Sequence, residues 1–289
     1  MNHTDRYIPG VPCWVDTTQP DPEAAVAFYS GLFGWEFENV MPPESPQPYF
    51  IGRLPGGDVA AVSSGEAAAW NTYVWVDDAE ATAARVHAAG GTVLMPPGDT
   101  GDAGRMAIFA DPAGAAFRVW QPGRHRGAAV VNEPGSLNFN DLNTRDVEAA
   151  GAFYGAVFGW EVLTAGDFTA WALPAYGDFL EARNPGTREG MASMGAPERF
   201  EEVVATIVPI PDDQPDASPH WGVTFAVDDA DEIARRADKL GGWVVVAPFD
   251  APWVRMTVIA DPQGATFTAS KFVPENKDIG QGAGAATGG

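Results

Sequence analysis

The feature that most constrains this chain is an internal duplication. The block Glu23 to Glu36 returns as Glu148 to Glu161 with 10 of 14 positions identical, at a shift of 125 residues. A second block, Arg105 to Phe117, returns as Arg255 to Phe267, shifted by 150. Self-similarity at a fixed period signals repeated structural units, so the chain is a doubled domain. The shifts differ by 25, which places an insertion in the second copy, around Asp178 to Asp216. At 289 residues, two domains are also what length alone suggests.

Each copy contains the same alternation twice. Cys13 to Thr17 alternates as a strand does. Asp21-Pro22-Glu23 then supplies an N-cap, a proline at the first helical position and an acid in the first turn. Ala25, Phe28, Tyr29, Leu32 and Phe33 fall on one helical face, and Gly34 can end the helix. Strands follow from Tyr49 to about Val62. Trp70 to Val76 restarts the pattern, with Asp78 as N-cap, a helix to Ala89, Gly90-Gly91 as its stop, and strands near Thr92–Met95, Arg105–Ala110 and Ala116–Trp120. The order recurs after residue 136 with Asp146 and Asp229 as caps. The expectation is an α+β fold of four βαβββ modules, at 8–66, 68–122, 136–212 and 218–273. Residues 123–135 read as a linker rich in turn formers, and 274–289 as a disordered tail.

Phe-Tyr and Phe-Gly-Trp in one module, with Val-Asp-Asp-Ala, Gly-Gly and Asp-Pro-x-Gly in the next, resemble the vicinal oxygen chelate (VOC) superfamily. That superfamily contains glyoxalase I, the bleomycin-resistance proteins and the extradiol dioxygenases. Pro12 to Asp16, Phe33-Gly34-Trp35 and the doubling look more narrowly like tandem actinobacterial proteins labelled hydroxylases or glyoxalase-like antigens. The resemblance implies modules paired so that two curved mixed sheets each enclose a cleft. In catalytic members, histidines on the first strands and a glutamate after Asp-Pro-x-Gly hold a divalent metal there.

Carried over residue by residue, those metal positions fall on Trp14, Asn71 and Arg118 in the first half and on Phe139, Gly222 and Thr268 in the second. Neither trio suits a divalent cation, whose ligands are imidazole, carboxylate or thiolate. No cofactor is therefore expected, and a divalent metal would need atypical ligands. The chain has four histidines: His3, His87 and His125 read as terminal, helical and linker residues, and only His220 aims at a cleft. Asp16 and Asp141 repeat on the first strands, on the same faces as Trp14 and Phe139. A carboxylate there suits a general base or a hydrogen-bond acceptor for a ligand. These two acids and His220 are the catalytic candidates. Trp14, Asn71, Tyr73, Trp75, Arg118, Phe139, Glu181, Thr224 and Thr268 are the ligand-binding candidates, with Glu181 expected on a third-module strand. Asp-Pro-x-Gly reads as a tight turn, and Phe-Tyr as an anchor of helix to sheet. The smaller side chains of the second set predict the larger pocket in the second cleft, with the insertion near its mouth.

Charge narrows the partners. With 17 basic against 39 acidic residues, the net charge is -22, which repels nucleic-acid phosphates and anionic lipid. One cysteine excludes an intrachain disulfide, and no signal-like start or membrane-length apolar run is present. The expectation is a cytoplasmic monomer or homodimer that partners a small molecule. Two readings stand open. One is metal-free binding or sequestration of an apolar or aromatic metabolite or antibiotic. The other is a glyoxalase-like lyase, an oxygenase or hydroxylase, or a natural-product tailoring enzyme that uses atypical cleft residues.

Overall fold

The structure is a computed structural model that describes residues 6–166 and 168–279. The first half runs β1 (Pro12–Gln19), α1 (Pro22–Phe33), β2 (Glu36–Asn39), β3 (Tyr49–Leu54), β4 (Gly57–Ser64), β5 (Ala69–Trp75), α2 (Ala79–Ala88), β6 (Thr92–Asp99), β7 (Gly104–Ala110) and β8 (Ala116–Pro122). The second runs β9 (Leu137–Thr144), α3 (Val147–Phe158), β10 (Glu161–Ala165), β11 (Phe168–Ala172), α4 (Pro174–Arg183), α5 (Thr187–Met194), β12 (Val203–Pro209), β13 (His220–Ala226), α6 (Ala230–Lys239), β14 (Trp243–Ala251), β15 (Val254–Ala260) and β16 (Thr266–Phe272). These are four βαβββ modules, the third interrupted by two inserted helices.

Local chemistry explains the repeated elements. Asp21 and Asp146 each accept a hydrogen bond from the backbone three residues on, at 3.0 and 2.8 Å, satisfying a donor the helix cannot. Gly34 and Gly159 end α1 and α3 at φ +74° and +75°, the left-handed conformation that a side chain disfavours. Each half then builds one eight-stranded mixed sheet, in the orders β2-β3-β4-β1-β5-β8-β7-β6 and β10-β11-β12-β9-β13-β16-β15-β14. In the first, β1 and β4 run parallel with Asp16 opposite Ala61, and β5 and β8 run parallel with Tyr73 opposite Arg118. The matching pairs in the second are Asp141 opposite Thr206 and Thr224 opposite Thr268.

Contacts gather the chain into two compact units, each drawing on both halves. The first holds residues 6–14, Asn71–Gly127 and Phe139–Gly222; the second holds Val15–Trp70, Ala128–Asn138 and 223–279. A repeated polar lock explains the gathering. In the first unit the Trp221 indole donates to the Tyr154 hydroxyl at 2.9 Å, and that hydroxyl donates to Asp111 at 3.1 Å. The other Asp111 oxygen accepts the Ala113 and Ala115 N–H groups. In the second unit Trp70 donates to Tyr29 at 3.1 Å and Tyr29 to Asp261 at 2.8 Å. There Gln19 adds a bond to Asp261 at 2.6 Å. The Phe-Tyr block of one half thus closes on the Asp-Pro-x-Gly turn of the other. Burial raises the Asp111 carboxyl above the usual carboxylate range and the Tyr154 phenol well above its own.

Three expectations change. The insertion is helical: α4 begins at Pro174, a residue suited to the first helical turn, and the strand expected around Glu181 is part of this helix. Residues 123–135 are not a free linker. Gly123 and His125 donate to the Ala103 carbonyl in the first unit, and Ala129 donates to Asp58 in the second. The tail holds structure beyond 273, since Pro274–Asn276 form a 3-10 turn and the Asn276 amide donates to Asp250 at 3.1 Å. The disorder expected of 280–289 falls outside the described residues, as does His3. No described helix is long and apolar enough to cross a membrane.

Candidate functional site

In the first unit, β5 and β8 present Tyr73, Trp75, Arg118 and Trp120 in register, and the side chains engage one another. Arg118 donates to the Tyr73 hydroxyl at 2.6 Å, with its guanidinium 5.2 Å from that ring. Arg126 lies 5.0 Å over Trp75. Trp14, at 2% exposure, meets the His125 ring edge-on at 4.4 Å, and the Trp120 indole donates to the His125 carbonyl at 3.0 Å. The structure brings Tyr73 and Arg118 together and adds His125, which the sequence reading places in a linker. Its signal was adjacency to the arginines of Arg124-His125-Arg126, which reads equally well as a charged turn. Asn71 is half-buried on β5.

The same unit carries one side of the second sheet. Asp141 is half-buried and accepts a short hydrogen bond from the Thr206 hydroxyl, while the Asn143 amide donates to the Asp141 carbonyl at 3.3 Å. A Cβ built on Gly222 would meet nothing closer than 3.6 Å, so there is room beside Asp141. Phe139 is half-buried on β9. His220 is exposed at the start of β13, its Nδ1 2.9 Å from the Ser218 carbonyl, the strand-end arrangement rather than a buried acid-base position.

In the second unit Asp16 is 1% exposed and accepts from the Tyr49 hydroxyl at 3.2 Å. Both repeated acids thus hold a hydroxyl donor from a strand of their own module, Tyr49 for one and Thr206 for the other. Sequence reasoning missed both donors, because each depends on strand register. Thr224 and Thr268 sit opposite one another on parallel strands. Glu181 is corrected: from α4 its carboxylate accepts the Gly186 and Arg188 N–H groups at 2.8 and 3.0 Å. Those bonds cap α5 and hold the carboxyl below its usual range.

The donor chemistry does not fit the metal that the fold family's enzymes use. An indole and a cationic guanidinium occupy two of the three positions in the first half, and a phenyl ring and a glycine occupy two in the second. Among the described residues, no three His, Cys, Asp or Glu side chains gather within reach of one ion.

The chain belongs to the Glyoxalase/Bleomycin resistance protein/Dioxygenase superfamily, whose profile matches residues 14–119 and 136–268. Among its relatives, CFP32 of Mycobacterium tuberculosis, which carries a glyoxylase name, is 38% identical over 283 residues, covering 95% of this chain and 100% of that protein. The anthracycline biosynthesis protein DnrV of Streptomyces peucetius is 36% identical, covering 91% and 94%. Solved structures share the fold. The Mn(II)-bound glyoxalase of Novosphingobium aromaticivorans superposes with a TM-score of 0.59 at 18% identity, covering 91% of this chain and 83% of that one. The 2,3-dioxygenase LapB of Pseudomonas sp. KL28 gives 0.60 at 14%, covering 92% and 93%.

Proposed function

We propose that this chain is a small-molecule-binding member of the superfamily that works without the usual metal, holding an apolar or aromatic metabolite or antibiotic on the inward faces of its sheets. The observation that supports the reading is that no three His, Cys, Asp or Glu side chains gather among the described residues, in keeping with the side chains at the positions that the resemblance gives to metal ligands: Trp14, Asn71 and Arg118, and Phe139, Gly222 and Thr268. Aromatic walls with few placed polar groups suit a planar ligand, each ring offering roughly 0.5–1.5 kcal/mol of stacking. The name of the Streptomyces relative points the same way, since anthracyclines are planar polycycles. A second reading, catalysis by Asp16 or Asp141 as general base, draws on one observation: each acid accepts a hydrogen bond from a hydroxyl of its own module, which helps to orient a carboxylate for proton transfer.

The test is a titration with a neutral hydroxyanthraquinone, following quenching of the tryptophans and recovering the ligand for mass analysis. Saturable quenching with unchanged ligand mass supports binding. No quenching overturns it, and a changed mass that Asp16→Asn or Asp141→Asn abolishes replaces it with the enzyme reading.

A further inference from the structure

A cavity of about 460 Å³ lies within the first unit, and neither Asp16 nor Asp141 lines it. Its volume falls in the range of small-molecule sites. Tyr7 comes from the arm before β1, Trp75 from the end of β5, Asp77 from the turn that follows, Gln121 and Pro122 from the end of β8, and Phe179 from the inserted helix α4. Backbone bonds fix this frame: Gly10 donates to the Trp75 carbonyl, Trp75 to that of Val11 and Val76 to that of Trp120, each at 2.9 Å. Tyr7 and Trp75 are buried, with ring centroids 5.9 Å apart, so little of either ring is left to a ligand. Phe179 and Pro122 are half-buried and supply the accessible apolar surface.

Two polar side chains on this wall have a hydrogen-bonding group left over. The Gln121 Oε1 accepts the N–H of Ala79, the first residue of α2, at 3.0 Å. That bond commits the acceptor and fixes the amide, since a flip would lose it. Among the described residues no acceptor meets the Gln121 Nε2. Two residues before Ala79, Asp77 is exposed, and among the described residues no donor reaches its carboxylate. One donor and one acceptor thus stand on neighbouring segments of the same wall. Arg126 also borders the cavity, but the protein engages it: its guanidinium lies 5.0 Å from the Trp75 centroid and donates to the Gly123 carbonyl at 3.4 Å. Its charge and that of Asp77 leave the wall with one positive and one negative group, which a neutral ligand does not oppose. The ligand needs an N–H for Asp77 beside an oxygen for Gln121, and an amide held cis in a ring presents that pair on one edge.

We propose that this cavity binds a neutral aromatic lactam or carboxamide, its N–H on Asp77, its carbonyl on the Gln121 Nε2 and its ring against Phe179 and Pro122. The inserted helix α4, which the first half lacks, is then the element that completes the site. The assignment does not depend on the sheet-face binding proposed above.

The test uses the full chain and isothermal titration with isoquinolin-1-one. Isocoumarin, the lactone of the same shape, sets an oxygen lone pair against Asp77 in place of the N–H, and 1-naphthoate sets a negative charge there. A site that hydrogen-bonds a group rejects the analogue lacking it. Expected are one site for the lactam and at least tenfold weaker binding of both comparison compounds. Asp77→Ala should weaken the lactam roughly tenfold and leave the lactone no weaker. Gln121→Glu keeps an oxygen for the Ala79 N–H but removes the donor, so it should weaken lactam and lactone alike, as should Phe179→Ala. Melting curves that match the wild type show that the variants fold, and the lactam-to-lactone ratio on the wild type needs no variant. No lactam binding, equal binding of the lactone, preference for the naphthoate, or indifference of the lactam to Asp77→Ala or Phe179→Ala would each overturn the proposal.

Discussion

Tyr154→Phe removes one oxygen from the lock of the first unit and tests the account of how the two halves are joined. The phenol accepts from Trp221 and donates to Asp111, at 2.9 and 3.1 Å, and all three residues are buried. Without it the indole N–H and one Asp111 oxygen lose these partners in a site sealed from water. A buried polar group left unsatisfied costs about 1–3 kcal/mol, and the two losses share one vacancy that a water cannot readily enter. The net expectation is a destabilisation of about 2–3 kcal/mol, lowering Tm by roughly 4–12 °C at this size. Phe keeps the ring packing, so no cavity term is added. Differential scanning calorimetry reads the shift. A change below about 1 °C would refute the reasoning, because it would mean that the lock contributes nothing the ring alone does not supply.

Tyr29→Phe should cost less than Tyr154→Phe by the same measurement, because Gln19 still donates to Asp261 at 2.6 Å; an equal or larger loss would count against the counting of bonds. Asp111 carries a raised carboxyl, so its native state binds the proton more tightly than the unfolded chain, and its contribution to stability grows as pH falls through the native value. The Tm of the wild type relative to Asp111→Asn should therefore improve as pH is lowered from 7 toward 4, and a flat or reversed difference would contradict the burial argument. Gly34→Ala adds a methyl that meets nothing within 4 Å at φ +74°, so only the backbone conformation is penalised. Urea unfolding should show a loss of about 1–2 kcal/mol, against no change if the position tolerates a side chain.

Much of this architecture is legible in the residues because its signals are local. Asp21-Pro22 and Asp146 start helices by capping, Gly34 and Gly159 stop them, and the Asp-Pro-x-Gly turns close on their own backbone. Alternation also places Asp16 beside Trp14 on one face. What the sequence hides is non-local. Tyr29 and Tyr154 look like packing residues until the Asp-Pro turn of the opposite half reaches their hydroxyls, 232 and 43 residues away. Tyr49 and Thr206 become donors to Asp16 and Asp141 only through register across the sheet. His125 lies among arginines and glycines that suggest a solvated turn, yet backbone bonds to Ala103 fold it onto Trp14. Glu181 misleads for a different reason: Tyr176-Gly177-Asp178-Phe179 alternates as a strand would, while the helix-starting Pro174 lies before it.

The central proposal is that the positions which the resemblance assigns to metal ligands carry side chains that do not make up a divalent-metal ligand set. Inductively coupled plasma mass spectrometry on protein grown with added iron, zinc and manganese, and purified without chelator or nickel resin, tests it directly. The account predicts less than about a tenth of an equivalent of any of them per chain, far below the full occupancy that a site with the usual three ligands would hold. One or two equivalents, retained through gel filtration, would contradict it.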